Sequence, residues 1–386
     1  MNLLSKISIS TLFFIPIIPH LNIVENFLHT DDLPIIIFVC VSIYEILRKK
    51  KLMLDDNLKY LIIFITYSTI QNYVINKTFL SSDSLRFSFY LLLFVYVVNF
   101  KIYINFQSQI SYLLSFLTLF SITAYFFEFD FGSDIYQTWN IGFNESNLEY
   151  LKGRINGFQA GGPNSFADLI TLLTIYIIFK VDDKKAILIA STSFLAILFT
   201  YSRFSIIVLF LFVLYRIYMS KYKKFIIYFV ILLLIVSYSF GLIDRFLNDD
   251  NSGISDRMLM VTASIEYFLD LDLVDKIFGV GSNQLIFLSD EVFNASDFNK
   301  NPYSYGPHNA YIFYLINYGF IGFSLLIIFI FKFIKLKNST ESRKFVLICF
   351  LLMNFSTDLF FNHSVSWLFY LILFHFENKD NKTFKV

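Results

Sequence analysis

The 386 residues are 56% apolar, with a mean hydropathy of +0.61 and a net charge of +1. That composition excludes a soluble globular chain, and the near-neutral charge excludes a polyanion-binding surface and with it a nucleic-acid partner. The two cysteines, Cys40 and Cys349, both lie inside apolar runs, which leaves neither a disulfide framework nor a zinc cluster.

Apolar runs that reach or nearly reach the ~20 residues needed to cross ~30 Å of hydrocarbon recur along the chain. The first, 3–20, carries Lys6, Pro16 and Pro19 but no small-residue cleavage site, so it reads as an uncleaved span. Further spans are predicted at 33–47, 58–75, 85–100 and 110–127. A polar stretch follows, then spans at 164–180, 186–201, 204–219 and 224–243. A second polar stretch, 244–307, holds eleven acids and only four bases, Arg245, Arg257, Lys276 and Lys300. The last spans fall at 308–331, 344–361 and 363–376. The expectation is an all-α, polytopic integral membrane protein forming one domain over 1–386. It has about 12 transmembrane helices and two long outer loops, 128–163 and 244–307, the second containing short helices.

The distribution of basic residues orients this topology. With both termini in the cytoplasm, only nine of the 31 bases fall outside: Lys77, Arg86, Lys152, Arg154, Arg203, Arg245, Arg257, Lys276 and Lys300. The remaining 22 collect in short inner connections, among them Lys180, Arg216 and Arg343.

Several outer residues carry candidate chemistry. Arg203 sits in a short turn between two apolar runs, Thr200-Tyr201-Ser202-Arg203-Phe204-Ser205, at headgroup depth. Its planar fork suits bidentate phosphate binding, and a snorkelling anchor is the competing reading. Arg154, in Gly153-Arg154-Ile155-Asn156-Gly157, precedes a glycine-rich entry, Gly161-Gly162-Pro163-Asn164, where backbone can approach a ligand closely or simply shape a loop. Arg257 opens an amphipathic stretch, 256–269, with Met258, Val261, Ile265 and Phe268 at helical spacing, as expected of a helix lying on the membrane surface. His308 stands at a loop-to-helix junction, which suits either a tuned imidazole or a cap shared with Asn309. Asp168, Asp358 and His363 are the polar suspects within spans. The sequence has no Walker loop, dinucleotide fingerprint or clustered metal ligands, so no cofactor or metal is expected.

The order of these pieces resembles the bacterial O-antigen polymerase/ligase superfamily. The matching segments run from Gly153-Arg154 and Gly162-Pro163-Asn164 through Thr200-Tyr201-Ser202-Arg203 and Asp256-Arg257. They continue with Phe278-Gly279-Val280-Gly281, then Pro307-His308-Asn309-Ala310-Tyr311 and Tyr318-Gly319-Phe320-Ile321-Gly322. The resemblance covers about residues 150–325. One departure is Phe204, where the family usually has a small residue.

The resemblance implies a metal-independent membrane glycosyltransferase at the outer face of the bacterial inner membrane. It would act on glycan carried by undecaprenyl diphosphate and build O-antigen, capsule or exopolysaccharide. Membrane lipids, a chain-length regulator and a flippase are the implied partners. In this reading Arg203 and Arg257 hold the diphosphate and His308 assists the acceptor hydroxyl, while Arg154, Asn164, Asn309 and Tyr311 contact substrate. A polymerase leads; a ligase acting on lipid A core and a flippase are the alternatives. A transporter would more typically carry repeat symmetry and midplane charge.

Overall fold

The computed structural model describes residues 3–18, 22–24, 28–49, 58–77, 81–100, 105–127, 155, 162–225, 231, 235, 238, 252–281, 309–334, 341–357, 359–360 and 363–374. The predicted span 224–243 therefore lies almost wholly outside the described residues. Eleven other predicted spans coincide with described helical segments. These are α1 (Leu3–Leu12), α2 (Leu33–Arg48), α3 (Leu58–Asn76), α4 (Ser82–Phe100), α5 (Phe106–Phe126), α6 (Gly162–Ile178), α7 (Asp183–Leu198) and α8 (Arg203–Tyr218). After the outer helices α9 (Ser252–Asp270) and α10 (Leu273–Phe278) come α11 (Ala310–Ile334), α12 (Glu341–Met353) and α13 (His363–Phe374). The described strands are a short antiparallel pair, β1 (Asn22–Val24) and β2 (Leu28–His29).

Three described helices are long and apolar enough to cross a membrane: α4, α5 and α11. The predicted span 3–20 divides instead. Beyond α1 the chain makes a single 3-10 turn, Ile15–Ile17, with Pro16 in its first positions, where a missing N–H costs nothing. The predicted 344–361 also stops early, because α12 ends at Met353 in the polar run Asn354-Phe355-Ser356-Thr357. There Asn354 Nδ2 donates to Phe350 O (2.7 Å), competing with the helical ladder. At 1.5 Å per residue, α12 and α13 are each roughly 20 Å long or less, short of the hydrocarbon thickness.

The buried heart of the bundle is α6, α7, α8, α12 and α13, with aromatic rings packed edge-on or stacked between helices. Phe350 lies on Phe369 at 3.6 Å, and Phe179 on Phe345 at 4.0 Å. In lipid such van der Waals fit, rather than water exclusion, holds helices together.

The two glycine motifs form one joint. Helix α11 breaks at Gly319 (φ 63°, ψ −175°), and the segment after α10 docks into the break: Val280 N donates to Ile316 O and Gly281 N to Asn317 O, both at 3.0 Å. Gly279 has φ 81°, and a Cβ on it would lie 2.5 Å from Gly319 N; a Cβ on Gly319 would lie 2.5 Å from Gly279 N. Only glycine permits both the positive φ and the backbone contact. The carbonyls freed by the break are taken up from α3. Tyr67 O–H donates to Phe278 O (2.5 Å) and Tyr318 O (2.9 Å), and Gln71 Nε2 donates to Phe278 O and to Asn317 O (2.7 Å). Non-helical backbone inside a membrane bundle needs such partners.

Candidate functional site

The N-terminal ends of α6, α8 and α11 and the C-terminal end of α12 converge, and their contacts define the site. Asp168 is the seventh residue of α6 and is 1% exposed. Its carboxylate accepts from Ser205 Oγ on α8 (2.5 Å) and from Thr357 Oγ1 just beyond α12 (3.0 Å). Ser205 in turn shares a hydrogen bond with Ser202 (2.8 Å), the residue before Arg203. Asp168 is therefore buried within the protein, and it fixes the turn that presents Arg203. Arg203 itself is half-buried as the first residue of α8. The turn is tight enough to drive Tyr201 to φ 55°, an uncommon conformation for a residue with a Cβ. Asn164 lies one helical turn outward from Asp168 on α6, at i and i+4, so both share a face.

A second set of contacts ties α11 to the same end. Asn309 caps α11, its Oδ1 accepting from Tyr311 N (3.0 Å) and Ile312 N (3.2 Å). Ala310 N donates to Asn354 O (3.0 Å), and Asn309 Nδ2 reaches Phe355 O at 3.4 Å. Tyr311 is also occupied: its O–H donates to Leu351 O (2.6 Å) and its ring lies 4.6 Å from Phe355. The Asn309 and Tyr311 side chains thus fasten α11 to α12, and the first N–H groups of α11 are all taken up, by Asn354 O, by Asn309 Oδ1 and by Asn309 O.

His308 and Arg154 fall outside the described residues. Ile155 is described, and its N–H donates to Phe199 O (3.0 Å), so the chain next to Arg154 is tied to the α7 end that leads into Arg203. Arg257 lies in α9, which starts at Ser252 rather than at Asp256; its side chain is outside the described residues. Phe268 packs on Phe320 of α11 and Ser264 is buried, but Ile265 and Leu269 are exposed, continuous with exposed Leu273, Val274 and Phe278 of α10. A helix pair with one face on α11 and an apolar strip left open suits the membrane surface. Two other outer cations are spent on helix ends: Lys77 Nζ donates to Val74 O (2.9 Å) and Lys276 Nζ to Leu269 O (2.6 Å). Burial, and then the Asp272 charge, raise the Asp275 carboxyl of α10 above its ordinary value.

Among the described residues there is no group of three His, Cys, Asp or Glu able to hold a metal. Ser205 and Thr357 were not singled out from sequence, although hydroxyl density in Thr200-Tyr201-Ser202-Arg203-Phe204-Ser205, and the polar break Asn354–Thr357 within a predicted span, are usable signals. Chemically, the site combines a cation held on a rigid turn with a buried acid behind it, and the guanidinium of Arg203 is the group there able to meet an anion.

Residues 188–327 match the family model described as O-antigen ligase, consistent with the O-antigen polymerase/ligase superfamily. The match runs from within α7 to the middle of α11, and so contains Arg203, Arg257, His308, Asn309, Tyr311 and both glycine motifs, but not Arg154, Asn164 or Asp168. A search of curated proteins returned no match.

Proposed function

We propose that this chain, whose residues 188–327 group it with the O-antigen polymerase/ligase superfamily, is a polymerase of lipid-linked repeat units. It transfers the growing glycan from undecaprenyl diphosphate to the next lipid-linked unit at the outer face of the inner membrane. The observation that carries the reading is the Asp168–Ser205–Ser202 network, which holds Arg203 on a fixed turn next to the capped start of α11. A diphosphate leaving group gains negative charge as the glycosidic bond breaks, and a preorganised guanidinium stabilises it without a metal. Arg203 and Arg257 are assigned that role. His308, two residues before α11, is assigned to the acceptor hydroxyl as base or hydrogen-bond partner. Arg154, tethered through Ile155, and Asn164, above Asp168, are assigned to substrate contacts. Asn309 and Tyr311 act by holding α11 in place rather than by touching sugar.

The test uses purified protein in proteoliposomes with a lipid-diphosphate-linked repeat unit and chelator. Arg203→Ala and Arg257→Ala should each slow elongation about 10²- to 10³-fold, with little recovery in Arg→Lys because a point charge replaces a fork. His308→Ala should abolish elongation. Full chain lengths in all three alanine variants, or strict dependence on added divalent metal, would overturn the assignment. The ligase reading is favoured by the description of the matched family, and the same assay separates the two: a ligase leaves repeat units unextended until a distinct acceptor such as lipid A core is supplied.

A further inference from the structure

The end of α6 opposite the candidate site holds a buried cation for which the described residues supply no paired carboxylate. Arg343, in the first turn of α12, is 5% exposed, and its Nε and Nη2 have no hydrogen-bond partner. The helix packs it against the last turn of α6, where Phe345 of α12 stacks on Phe179 at 4.0 Å. Tyr176 and Lys180 of this region are the charged or ionisable groups that act electrostatically on it, and Lys180 Nζ lies 4.5 Å from the Tyr176 ring. The acids nearby are engaged or turned away. Asp183 pairs with Arg216 at 2.8 Å, Asp182 with Lys185 at 3.3 Å, and Glu341 is exposed. Arg216, at the same end of the bundle, shows what a satisfied guanidinium looks like here: it also donates to Ile178 O (2.9 Å) and Val181 O (3.2 Å).

A buried guanidinium with two unused N–H groups, a lysine of the same sign beside it and a helix N-terminus around it all favour an anion. Arg343 begins a helix flanked by apolar side chains, at the level where that helix would enter the membrane. We propose that Arg343, with Lys180 and the first turn of α12, forms a binding site for the phosphodiester headgroup of an anionic phospholipid, in the leaflet opposite the glycan-transfer site. The fork of Arg343 takes two phosphate oxygens, and Lys180 contributes a second charge. Net-anionic lipids are preferred because a zwitterionic headgroup brings its own cation against Lys180.

The test is native mass spectrometry of full-length protein released from bilayers containing equal phosphatidylglycerol and phosphatidylcholine. The wild type should retain phosphatidylglycerol over phosphatidylcholine by at least about fivefold per contributing cation. Arg343→Met and Lys180→Gln should each reduce that preference about fivefold. Lys180→Gln, at a turn outside the helix, decides the matter if Arg343→Met fails to insert. Equal retention of both lipids by the wild type, or an undiminished preference in the variant that inserts, overturns the proposal. A parallel titration of the detergent-solubilised protein with inorganic phosphate separates the sources. Arg343-dependent thermal stabilisation matching that by phosphatidylglycerol would identify free phosphate as the ligand and overturn the lipid assignment; no effect of phosphate supports it.

Discussion

At the outer end of α6, Asp168 is 1% exposed and takes hydrogen bonds from two other helical segments; at the opposite end, Arg343 is 5% exposed and leaves Nε and Nη2 unpaired. Both are ionisable groups held out of water, where an uncompensated charge costs several kcal/mol after relaxation. The difference lies in what surrounds each. Serine and threonine hydroxyls from α8 and the α12 terminus turn toward Asp168, so the chain itself completes that site. Around Arg343 stand Phe179, Phe345, Tyr176 and another cation, so the chain leaves completion to something else. A finished buried charge acts as scaffold, and an unfinished one marks a place for a ligand.

The contrast is most sharply broken at Asp168. Asp168→Leu takes their shared carboxylate from Ser205 and Thr357, which keep only Ser202 and Met353 O as partners, and loosens the Arg203 turn, so the fold in detergent should be destabilised by about 1–3 kcal/mol, with elongation lost. Asp168→Asn, which still accepts from both hydroxyls, should recover most of the stability. If Leu is as stable as wild type, Asp168 is not the scaffold. A smaller change, of opposite sign, is expected at the other end. In zwitterionic lipid Arg343→Met removes an uncompensated charge and should leave stability unchanged or raise it by about 1 kcal/mol; a loss of 3 kcal/mol there would mean that Arg343 is already partnered. The smallest effect belongs to a charge in full solvent. Asp182 caps α7 by accepting from Lys185 N (3.0 Å), and that hydrogen bond holds its carboxyl below the ordinary value. With the folded value depressed, its contribution is complete above the unfolded carboxylate range and fades as pH falls through the folded value. Asp182→Asn should flatten the acid limb of the Tm-against-pH curve only slightly.

Much of this architecture was legible in the residues, and the illegible parts have physical reasons. Hydropathy placed eleven apolar runs on described helical segments, of which α4, α5 and α11 are long and apolar enough to cross a membrane. It failed at Pro16 and at Asn354–Thr357, where local backbone chemistry ends a helix inside an apolar run. The motifs Phe278-Gly279-Val280-Gly281 and Tyr318-Gly319 were each visible, but their mutual contact was not, since nothing in a one-dimensional spacing says that two φ-positive glycines touch. Tyr67 and Gln71, which satisfy that joint, are ordinary polar residues within a span. Arg343 entered the sequence reading only as one more inner base, because counting charges is blind to burial. Asn309 stood out as a candidate substrate contact, and its place at the α11 start accounts for its side chain as a cap.

The Gly281 N to Asn317 O bond has a bearing on how such chains diversify. It brings the chain on either side of residues 282–316 together at one point, so the stretch between is closed at its base. For a segment closed at its base, each doubling of length costs only about 0.6 kcal/mol. Changes of length before His308 therefore cost little, while the clip, the broken helix and the Tyr67 and Gln71 supports stay as they are.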